Sequence, residues 1–411
     1  MTSSDLSATA ANAPNDAGGF GPDAASVVAV SALCLGVGAA IGFAPGFIAT
    51  ALRDDLDISR GQVGLLVSIY FGCTGVGSIM GGRVTERLGA RLVVAVDMVS
   101  VALAAFFAAA VGSYWALLVA SVVGGTGYSL VNAGTNVAIG RTVPSERRTL
   151  AMSIKTAGVP AMAVISAALG PVSANRWGWQ AVFVAIGAVA AVAAVAALVT
   201  LDDDRPQART TTTTGTLPEG FWWFPVGAFL LIAGSQPLYS WTVAYLEQSL
   251  DASPGLAGGV SALASAVGIC VMLLNAVRTD RIGADHRVRR IVILMAVSLG
   301  ATLLVMAGEV WGIGVAVIGA VLGISAQLSA IGTMHAAVVD RAPQAVARAT
   351  GMTMTGYYLG ALFSPAVFGV VADATDTFAW SWAGTAALLG LSIPAWIRAG
   401  QVSQGAPGSS M

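Results

Sequence analysis

The chain is poor in charge and almost devoid of lysine. Of its 411 residues only 10% are charged, whereas 56% are hydrophobic. A soluble domain carries about 25% charged residues, so a water-soluble chain of this length could not cover its surface with so few charges. The composition therefore predicts a polytopic membrane protein, with the lipid bilayer as its surroundings.

Other scarcities exclude several kinds of site. Only two histidines, His286 and His335, and three dispersed cysteines, Cys34, Cys73 and Cys270, are present, and they form no readable metal constellation. We expect the cysteines to be packing residues rather than a disulfide framework. No Gly-rich dinucleotide fingerprint and no nucleophile–base pair is visible, so we expect neither a cofactor nor an enzymatic activity. The net charge of −1 and the lack of a long basic cluster argue against a nucleic-acid partner.

Long apolar runs recur along the whole chain. A transmembrane helix needs about 20 predominantly apolar residues. The qualifying runs are 25–52, 61–82, 91–112, 115–140, 149–172, 179–200, 222–247, 255–277, 290–308, 312–335, 347–372 and 377–398. We therefore predict an all-α membrane protein of twelve transmembrane helices in two six-helix bundles. The predicted parts are a disordered cytoplasmic tail at 1–24, a first bundle at 25–200, a cytoplasmic linker at 201–221, a second bundle at 222–398 and a cytoplasmic tail at 399–411.

The arginines predict the orientation in the membrane. With the N-terminus in the cytoplasm, 16 of the 19 arginines fall on the cytoplasmic side, and only Arg53, Arg60 and Arg176 fall outside. Cytoplasmic loops of membrane proteins are enriched in arginine and lysine. The pattern thus predicts a multi-pass protein of the plasma membrane with both termini in the cytoplasm.

A short loop motif occurs twice. The Thr–acid–Arg–aliphatic–Gly–Ala sequence at 85–90, after the second span, recurs 194 residues later at 279–284, after the eighth. Equivalent loops in two six-helix halves indicate duplication, an architecture that is common in secondary transporters. The motif residues are Gly82, Glu86, Arg87, Gly89 and Arg91 in the first loop and Asp280, Arg281 and Gly283 in the second.

Over its whole length the chain resembles bacterial members of the major facilitator superfamily. The first loop matches that family's signature at Gly82, Arg87 and Gly89, while Glu86 is a conservative replacement and Arg91 supplies the final base. The resemblance implies a gate: these charges would pair across the cytoplasmic face and hold one of two alternating states, with the second loop as the equivalent. The alternative is a topogenic charge cluster with a tight turn.

Two other family signatures are incomplete. The arginine that the family places in span 4 is missing before Gly124 and Gly125. The antiporter motif of span 5 is present at Gly170 and Pro171, but its terminal glycine pair is replaced. Efflux by antiport is therefore permitted by the sequence and not required.

Lys155 is the only lysine, and it lies inside a predicted span. A cation at the centre of a membrane helix costs roughly 2.5–3.5 kcal/mol, so such charges usually face a cavity, a partner or a substrate path. Lys155 is seven residues beyond Arg148, which is roughly 10 Å along a helix. Asn132 and Asn136 share one face of span 4 with Tyr128, at a depth comparable with Lys155.

The second half offers four further polar residues inside spans: Gln236, Tyr239, Gln327 and Tyr357. The family resemblance implies that their spans line a central cavity. We predict that all eight residues contact substrate and that Lys155 selects an anion. The alternatives are interhelical hydrogen bonds for the amides and tyrosines, and for Lys155 either snorkelling to the interface or pairing with Asp97.

The residues and the resemblance together predict a monomeric secondary transporter of a small organic molecule, an anion by first choice, that works by alternating access. No nucleotide-binding motif is visible, so a gradient must supply the energy, and a coupling proton is a candidate partner. The segment 154–160 resembles that of cyanate-permease-type members that handle small anions. Multidrug or metabolite efflux by proton antiport is the alternative within transport, and a non-transporting sensor or scaffold is the alternative outside it.

Overall fold

The computed structural model describes residues 21–144, 147–202, 216–282 and 286–402, and these form fourteen helices. The helices are α1 (Pro22–Phe47), α2 (Ala49–Leu56), α3 (Arg60–Leu88), α4 (Ala90–Val111), α5 (Tyr114–Thr142), α6 (Arg148–Trp177), α7 (Trp179–Thr200), α8 (Trp223–Ser240), α9 (Thr242–Ser249), α10 (Pro254–Ile282), α11 (Arg287–Trp311), α12 (Ile313–Arg341), α13 (Val346–Thr375) and α14 (Ala379–Gly400). The prediction of an all-α protein is confirmed.

Each predicted span coincides with one helix or with a pair of helices separated by a break. Ten of the described helices are long and apolar enough to cross a membrane. The two other predicted spans are α8 with α9, which are interrupted at Trp241, and α14, whose apolar character is diluted by tryptophan, serine and threonine. Most of the predicted tails and linker lies outside the described residues, so the domain boundaries stay a prediction. We call α1–α7 the first half and α8–α14 the second half.

Three connections between antiparallel helices consist of a single glycine. Gly89, Gly178 and Gly312 have φ angles of 85°, 83° and 90°, a region that residues with a Cβ rarely adopt. Gly89 joins α3 to α4 and its N–H group donates to the Thr85 carbonyl, which ends α3. The glycine at this position of the first loop motif therefore has a backbone reason.

Pro237 lies inside α8, about one turn before the break of the seventh span at Trp241. Pro237 lacks an N–H group, so the carbonyl of Ala233, four residues earlier, loses its helical partner. The hydroxyl of Ser364 on α13 donates to this carbonyl at 2.6 Å, which satisfies a backbone group that has no access to water. The helix then ends at Ser240, and α9 continues beyond Trp241.

The helix ends divide between two faces of the molecule. We call the face with most of the arginines, which the sequence predicts to be cytoplasmic, the inner face, and the opposite one the outer face. The two halves meet mainly where α3 packs on α13 and where α6 packs on α10. We call these two contacts the seams. The space between the halves is closed at the face where the seams are in contact and open at the face where they separate.

Candidate functional site

At the outer face a carboxylate of the second half caps a helix of the first half. Asp373 of α13 accepts hydrogen bonds from the backbone N–H groups of Arg60 (3.0 Å) and Gly61 (2.7 Å), the first residues of α3. These N–H groups have no partner within their own helix, and the helix dipole favours negative charge there. The Arg60 guanidinium adds an ion pair to Asp373 at 3.9 Å. The contact joins the halves at the outer end of the α3–α13 seam.

Gln248 of α9 extends this outer contact. Its side-chain oxygen accepts from Arg53 (2.8 Å) and Arg60 (3.0 Å), and its nitrogen donates to Thr50 (3.1 Å). Arg60 also lies 5.0 Å from the ring centre of Phe378. Burial and the adjacent guanidinium of Arg60 lower the pKa of Arg53, so Gln248 holds together two cations that repel each other. Two of the three arginines that break the positive-inside pattern thus belong to the outer contact.

Small residues let the α3–α13 seam close tightly on its outer side only. A Cβ atom on Gly64 would overlap the carbonyl of Pro365, and one on Gly75 would lie 2.9 Å from the Cβ atom of Tyr358. One turn further toward the inner face, Ile79 is 76% exposed. The helices are therefore in contact from the outer face to mid-depth, and they separate below it.

An aromatic layer closes the path beneath the outer contact. The ring of Tyr239 on α8 lies 5.1 Å from Phe43 and 6.1 Å from Phe47, both on α1. Phe71 of α3 packs edge-on against Phe43 at 5.8 Å. The layer joins three helices from both halves, so the predicted substrate residue Tyr239 lies in the closed outer gate.

On the inner side a crevice of about 830 Å³ opens between α6, α10 and α12. Its lining includes Arg148 and Met152 of α6, Asn275 of α10, and Thr333 and His335 of α12. Because the outer seam is closed and the inner side is open, the protein adopts an inward-open conformation. Arg148, the first residue of α6, places a positive charge in this lining.

Lys155 meets both asparagines that the sequence singles out. Its ammonium donates to the side-chain oxygens of Asn132 (2.7 Å) and Asn136 (2.5 Å) and to the backbone oxygen of Asn132 (3.4 Å). Lys155 is only 2% exposed, whereas Asn132 is half-buried and Asn136 is exposed. The lysine thus lies behind two amides that water can reach, and it does not snorkel to the interface.

No acid neutralises this ammonium in the described part of the chain. The hydrogen-bond partners of Lys155 there are all neutral oxygens. Asp97, the acid that the sequence offers as a partner, lies against Gly127 instead. The cluster therefore carries one positive charge that no described acid balances. An uncompensated charge in a buried position is costly.

The amides of the second half form a separate polar group. The side-chain nitrogen of Gln327 on α12 donates to the side-chain oxygen of Gln236 on α8 at 3.4 Å, and Gln236 donates to Ser240. Both glutamines are 3% exposed, and the remaining oxygen of Gln327 has no hydrogen-bond partner. The group lies near mid-depth in the second half and does not join the Lys155 cluster in this conformation.

The two remaining candidates lie on helices of opposite halves. Tyr128 of α5 packs at 6.0 Å from the ring of Tyr70, whose hydroxyl donates to the Gly38 carbonyl. Tyr357 of α13 packs edge-on against Tyr358 at 5.4 Å. Tyr128 is close enough to Tyr357 and Tyr358 to interact with them electrostatically. The tyrosines therefore lie between the aromatic layer and the Lys155 cluster.

The predicted gate residues lie at the open inner face. Glu86 and Arg87 are exposed and Arg91 is half-buried, and none of them forms an ion pair with a described residue in this conformation. A Cβ atom on Gly82 would meet no atom within 4 Å. Asp280 and Arg281 fall in the last turn of α10, and Gly283 lies outside the described residues. The gate role stays a prediction, because it concerns the other alternating state.

Sequence reasoning missed a polar cluster at the inner end of the second half. Asn275 of α10 donates to Thr333 at 3.0 Å and accepts from Arg290 of α11 at 2.8 Å. Nearby, the Nη1 atom of Arg287 donates to both carboxylate oxygens of Asp340, at 2.9 and 2.8 Å. Asn275 is an amide inside an apolar run, so the criterion that singled out Gln236 and Gln327 would have found it. The outer contact at Asp373 carried no comparable signal.

Comparison with known proteins places the chain among transporters. Residues 28–365 match the family profile of the Major Facilitator Superfamily. The chain is 30% identical over 358 residues to the probable nitrate/nitrite transporter NarK2 of Mycobacterium tuberculosis, covering 80% of this chain and 85% of that protein. It is also 27% identical over 135 residues to a hexuronate transporter of Bacillus subtilis, a match that spans 32% of that transporter.

Solved structures share the architecture. A bacterial homologue of the human lysosomal transporter Spinster, in an inward-facing and unoccupied conformation, superposes with a TM-score of 0.79 at 15% identity, over 95% of this chain and all of that one. A D-xylose–proton symporter superposes with a TM-score of 0.72 at 14% identity, over 94% of this chain and 99% of that one. At these identities the likeness concerns the fold alone.

Proposed function

Because the chain belongs to the Major Facilitator Superfamily, it is a membrane transporter and not an enzyme, and we propose that it carries a small monovalent anion by alternating access. Lys155, Asn132 and Asn136 are the proposed anion site. The observation that carries this proposal is a buried ammonium whose described partners are all neutral oxygens. A transported anion would supply the missing charge.

The hydrogen bonds suggest how the anion is held. An ammonium has three donors, and the three oxygens that accept hydrogen bonds from Lys155 use them all. Since the amide oxygens of Asn132 and Asn136 point at Lys155, their NH₂ groups point away from it and are available to an anion. The amides would therefore bind the anion, and the charge of Lys155 would act from behind them.

One charge and two amides match a particular substrate class. A single uncompensated cation balances one negative charge, which favours a monovalent anion over a dianion. Planar groups with two or three oxygens, such as nitrate, nitrite or a carboxylate, can accept from both amides at once. The named substrates of the two sequence relatives, nitrate or nitrite and hexuronate, belong to this class, which supports the proposal.

The inner crevice would deliver the anion. Arg148 lines it, so the entrance carries a cation. Positive clefts raise the local concentration of anions. By contrast, the positive charge of Lys155 disfavours organic cations, so multidrug efflux by proton antiport fits these residues less well.

Equilibrium binding to the purified protein tests the proposal. With an amide between them the ammonium and the anion lie about 6 Å apart, and at an effective dielectric constant of 20 one unit charge then contributes about 3 kcal/mol, which is on the order of a hundredfold in affinity. Water that enters the cavity screens part of this, so we expect Lys155→Gln to weaken binding of nitrate, nitrite or glucuronate by roughly tenfold or more. Ligand-induced shifts of the melting temperature measure it.

Two control variants make the test specific. Lys155→Arg keeps the charge and should retain part of the affinity. Arg148→Gln removes a cation from the same helix at the rim of the crevice, and it should change the affinity much less. The anion site would be wrong if none of the three anions stabilised the wild type, or if Lys155→Gln were stabilised equally.

A further inference from the structure

Asp97 is a buried acid that the proposed anion site does not use. It lies inside α4 and is only 4% exposed, and the Oδ2 atom of its carboxyl group is buried without a hydrogen-bond partner. Buried carboxyl groups are normally paired with a cation or with hydrogen-bond donors. A carboxyl oxygen that is buried inside a membrane helix without such a partner favours the protonated, neutral form of the acid.

The carboxyl group fits into a notch in the next helix. A Cβ atom on Gly127 of α5 would overlap the Oδ1 atom of Asp97. Gly127 directly precedes Tyr128, and the same helix carries Asn132 and Asn136. A change in the charge or position of the carboxyl group therefore acts on the helix that presents the proposed anion site.

Among the residues that the structure describes, no cation pairs with the carboxyl group of Asp97. Asp97 lines an apolar groove of about 380 Å³ between α3, α4 and α5, whose polar residues besides Asp97 are Ser100 and Thr126. The titratable groups that interact with it are the thiol of Cys34 on α1 and the phenol of Tyr70 on α3. The sequence of α7, which also packs on α4, contains no titratable side chain. A neutral carboxylic acid is stable in this setting, and a carboxylate is not.

We propose that Asp97 is a proton-binding site that couples protonation to the position of α5, and hence to alternating access. This proposal rests on the transport function proposed above and names the coupling ion of the same cycle. The inward-open conformation holds the acid in its protonated form. Loss of the proton would make the Gly127 notch unfavourable and shift the population toward states in which α5 or α4 has moved and the carboxylate meets water.

The proton and the anion would then be linked through one helix. If protonation of Asp97 favours the conformation that exposes Asn132 and Asn136 to the inner side, the bound anion must in turn favour protonation, because such coupling is reciprocal. A proton and a monovalent anion that move together transfer no net charge. This suits a transporter that accumulates an anion against a negative interior potential.

Infrared spectroscopy of the reconstituted protein tests the site without any substrate. We expect the wild type at neutral pH to show the carbonyl band of a protonated carboxyl group, and this band should disappear in Asp97→Asn. The asparagine is isosteric with the protonated acid, so folding should be preserved, and Asp97→Ser is a second variant for the same readout. A spectrum that lacks the band, or a band that both variants retain, would overturn the proposal.

Distances between spin labels test the coupling. Labels at Arg83→Cys and Arg348→Cys, on the inner ends of α3 and α13, report the inner opening in a background without Cys34, Cys73 and Cys270. We expect the wild-type background to lose its long-distance population as the pH rises, while Asp97→Asn keeps it. A pH-independent distribution in the wild-type background, or the same pH response with Asp97→Asn, would contradict the coupling.

The two proposals fail in different ways. Lys155→Gln should lose anion binding and keep both the infrared band and the pH response of the distances. Asp97→Asn should keep anion binding and lose the other two. If no anion bound to any variant, the proposed substrate class would be wrong, whereas the infrared band would still decide whether Asp97 holds a proton.

Discussion

Replacing Asp373 by asparagine should open the outer face. The carboxylate accepts from two N–H groups at the start of α3, at 3.0 and 2.7 Å, and the carboxamide retains only one oxygen acceptor. A lost cap bond costs about 1 kcal/mol, and a lost negative charge at a helix N-terminus costs about 0.3–1 kcal/mol. The ion pair with Arg60, at 3.9 Å and partly exposed, adds at most about 1 kcal/mol.

These contributions total about 2 kcal/mol, which is roughly a 30-fold change in the ratio of outward-closed to outward-open molecules. Spin labels at Val111→Cys and Val310→Cys, exposed positions at the outer ends of α4 and α11, measure that ratio by double electron–electron resonance. We expect Asp373→Asn to add a population with longer distances, because these ends separate when the outer seam opens.

Asp376 supplies a matched control on the same helix end. Its carboxylate lies 3.8 Å from Arg60, but its side chain is 98% exposed, and such surface pairs contribute little. Asp376→Asn should leave the distances unchanged. The account of the outer contact would be refuted by an unchanged distribution in Asp373→Asn, or by an equal shift in both variants.

Three further predictions concern the interior. Asn136→Asp should give Lys155 an internal counter-ion, so the melting temperature should rise and anion binding should be lost; unchanged binding would contradict a charge deficit there. Gly127→Ala should lower the free energy of unfolding by roughly 1–3 kcal/mol through overpacking. Adding Asp97→Ala should restore most of this loss in denaturation experiments. Additive losses in the double variant would contradict the contact between Gly127 and Asp97. Ser364→Ala should destabilise the protein by roughly 1–3 kcal/mol, because it leaves a buried carbonyl unpaired; a change below experimental error would show that another donor replaces it.

The sequence was sufficient to place the helices and to put Lys155 at a depth comparable with Asn132 and Asn136. Runs of about 20 apolar residues have few alternatives to a membrane helix, so the spans could be located to within a few residues. Asn132 and Asn136 are 23 and 19 residues from Lys155, across a single hairpin. Equal depth in consecutive helices and a four-residue spacing placed these three side chains at one level, whereas their direct hydrogen bonds emerged only from the structure.

Contacts between the halves could not be predicted in the same way. Most helices are apolar on several sides, so their composition does not specify how each is rotated about its axis. Asp373 lies 313 residues from the backbone N–H group of Arg60 that it caps, and no local pattern connects them. The same uncertainty of rotation concealed that Asp97 faces Gly127. The interruption at Trp241 could not be distinguished from a continuous span.

The grouping of the eight candidate residues also depended on conformation. The sequence placed them on spans that the family resemblance assigns to one cavity, whereas the inward-open structure divides them among the Lys155 cluster, the glutamine pair and the tyrosines. Tyr239 belongs to the closed outer layer in this state. Depth along a helix can be read from a sequence, but the state-dependent distance between two halves cannot.

Uptake into proteoliposomes tests the central claim most directly, namely that a buried ammonium without a counter-ion serves the transported anion. Wild type, Lys155→Gln and Lys155→Arg would be reconstituted at equal density and supplied with nitrate, nitrite or glucuronate under an inward proton gradient. The account predicts uptake of at least one anion by the wild type, loss of that uptake in Lys155→Gln, and partial retention in Lys155→Arg. Uptake by Lys155→Gln at the wild-type rate would contradict it.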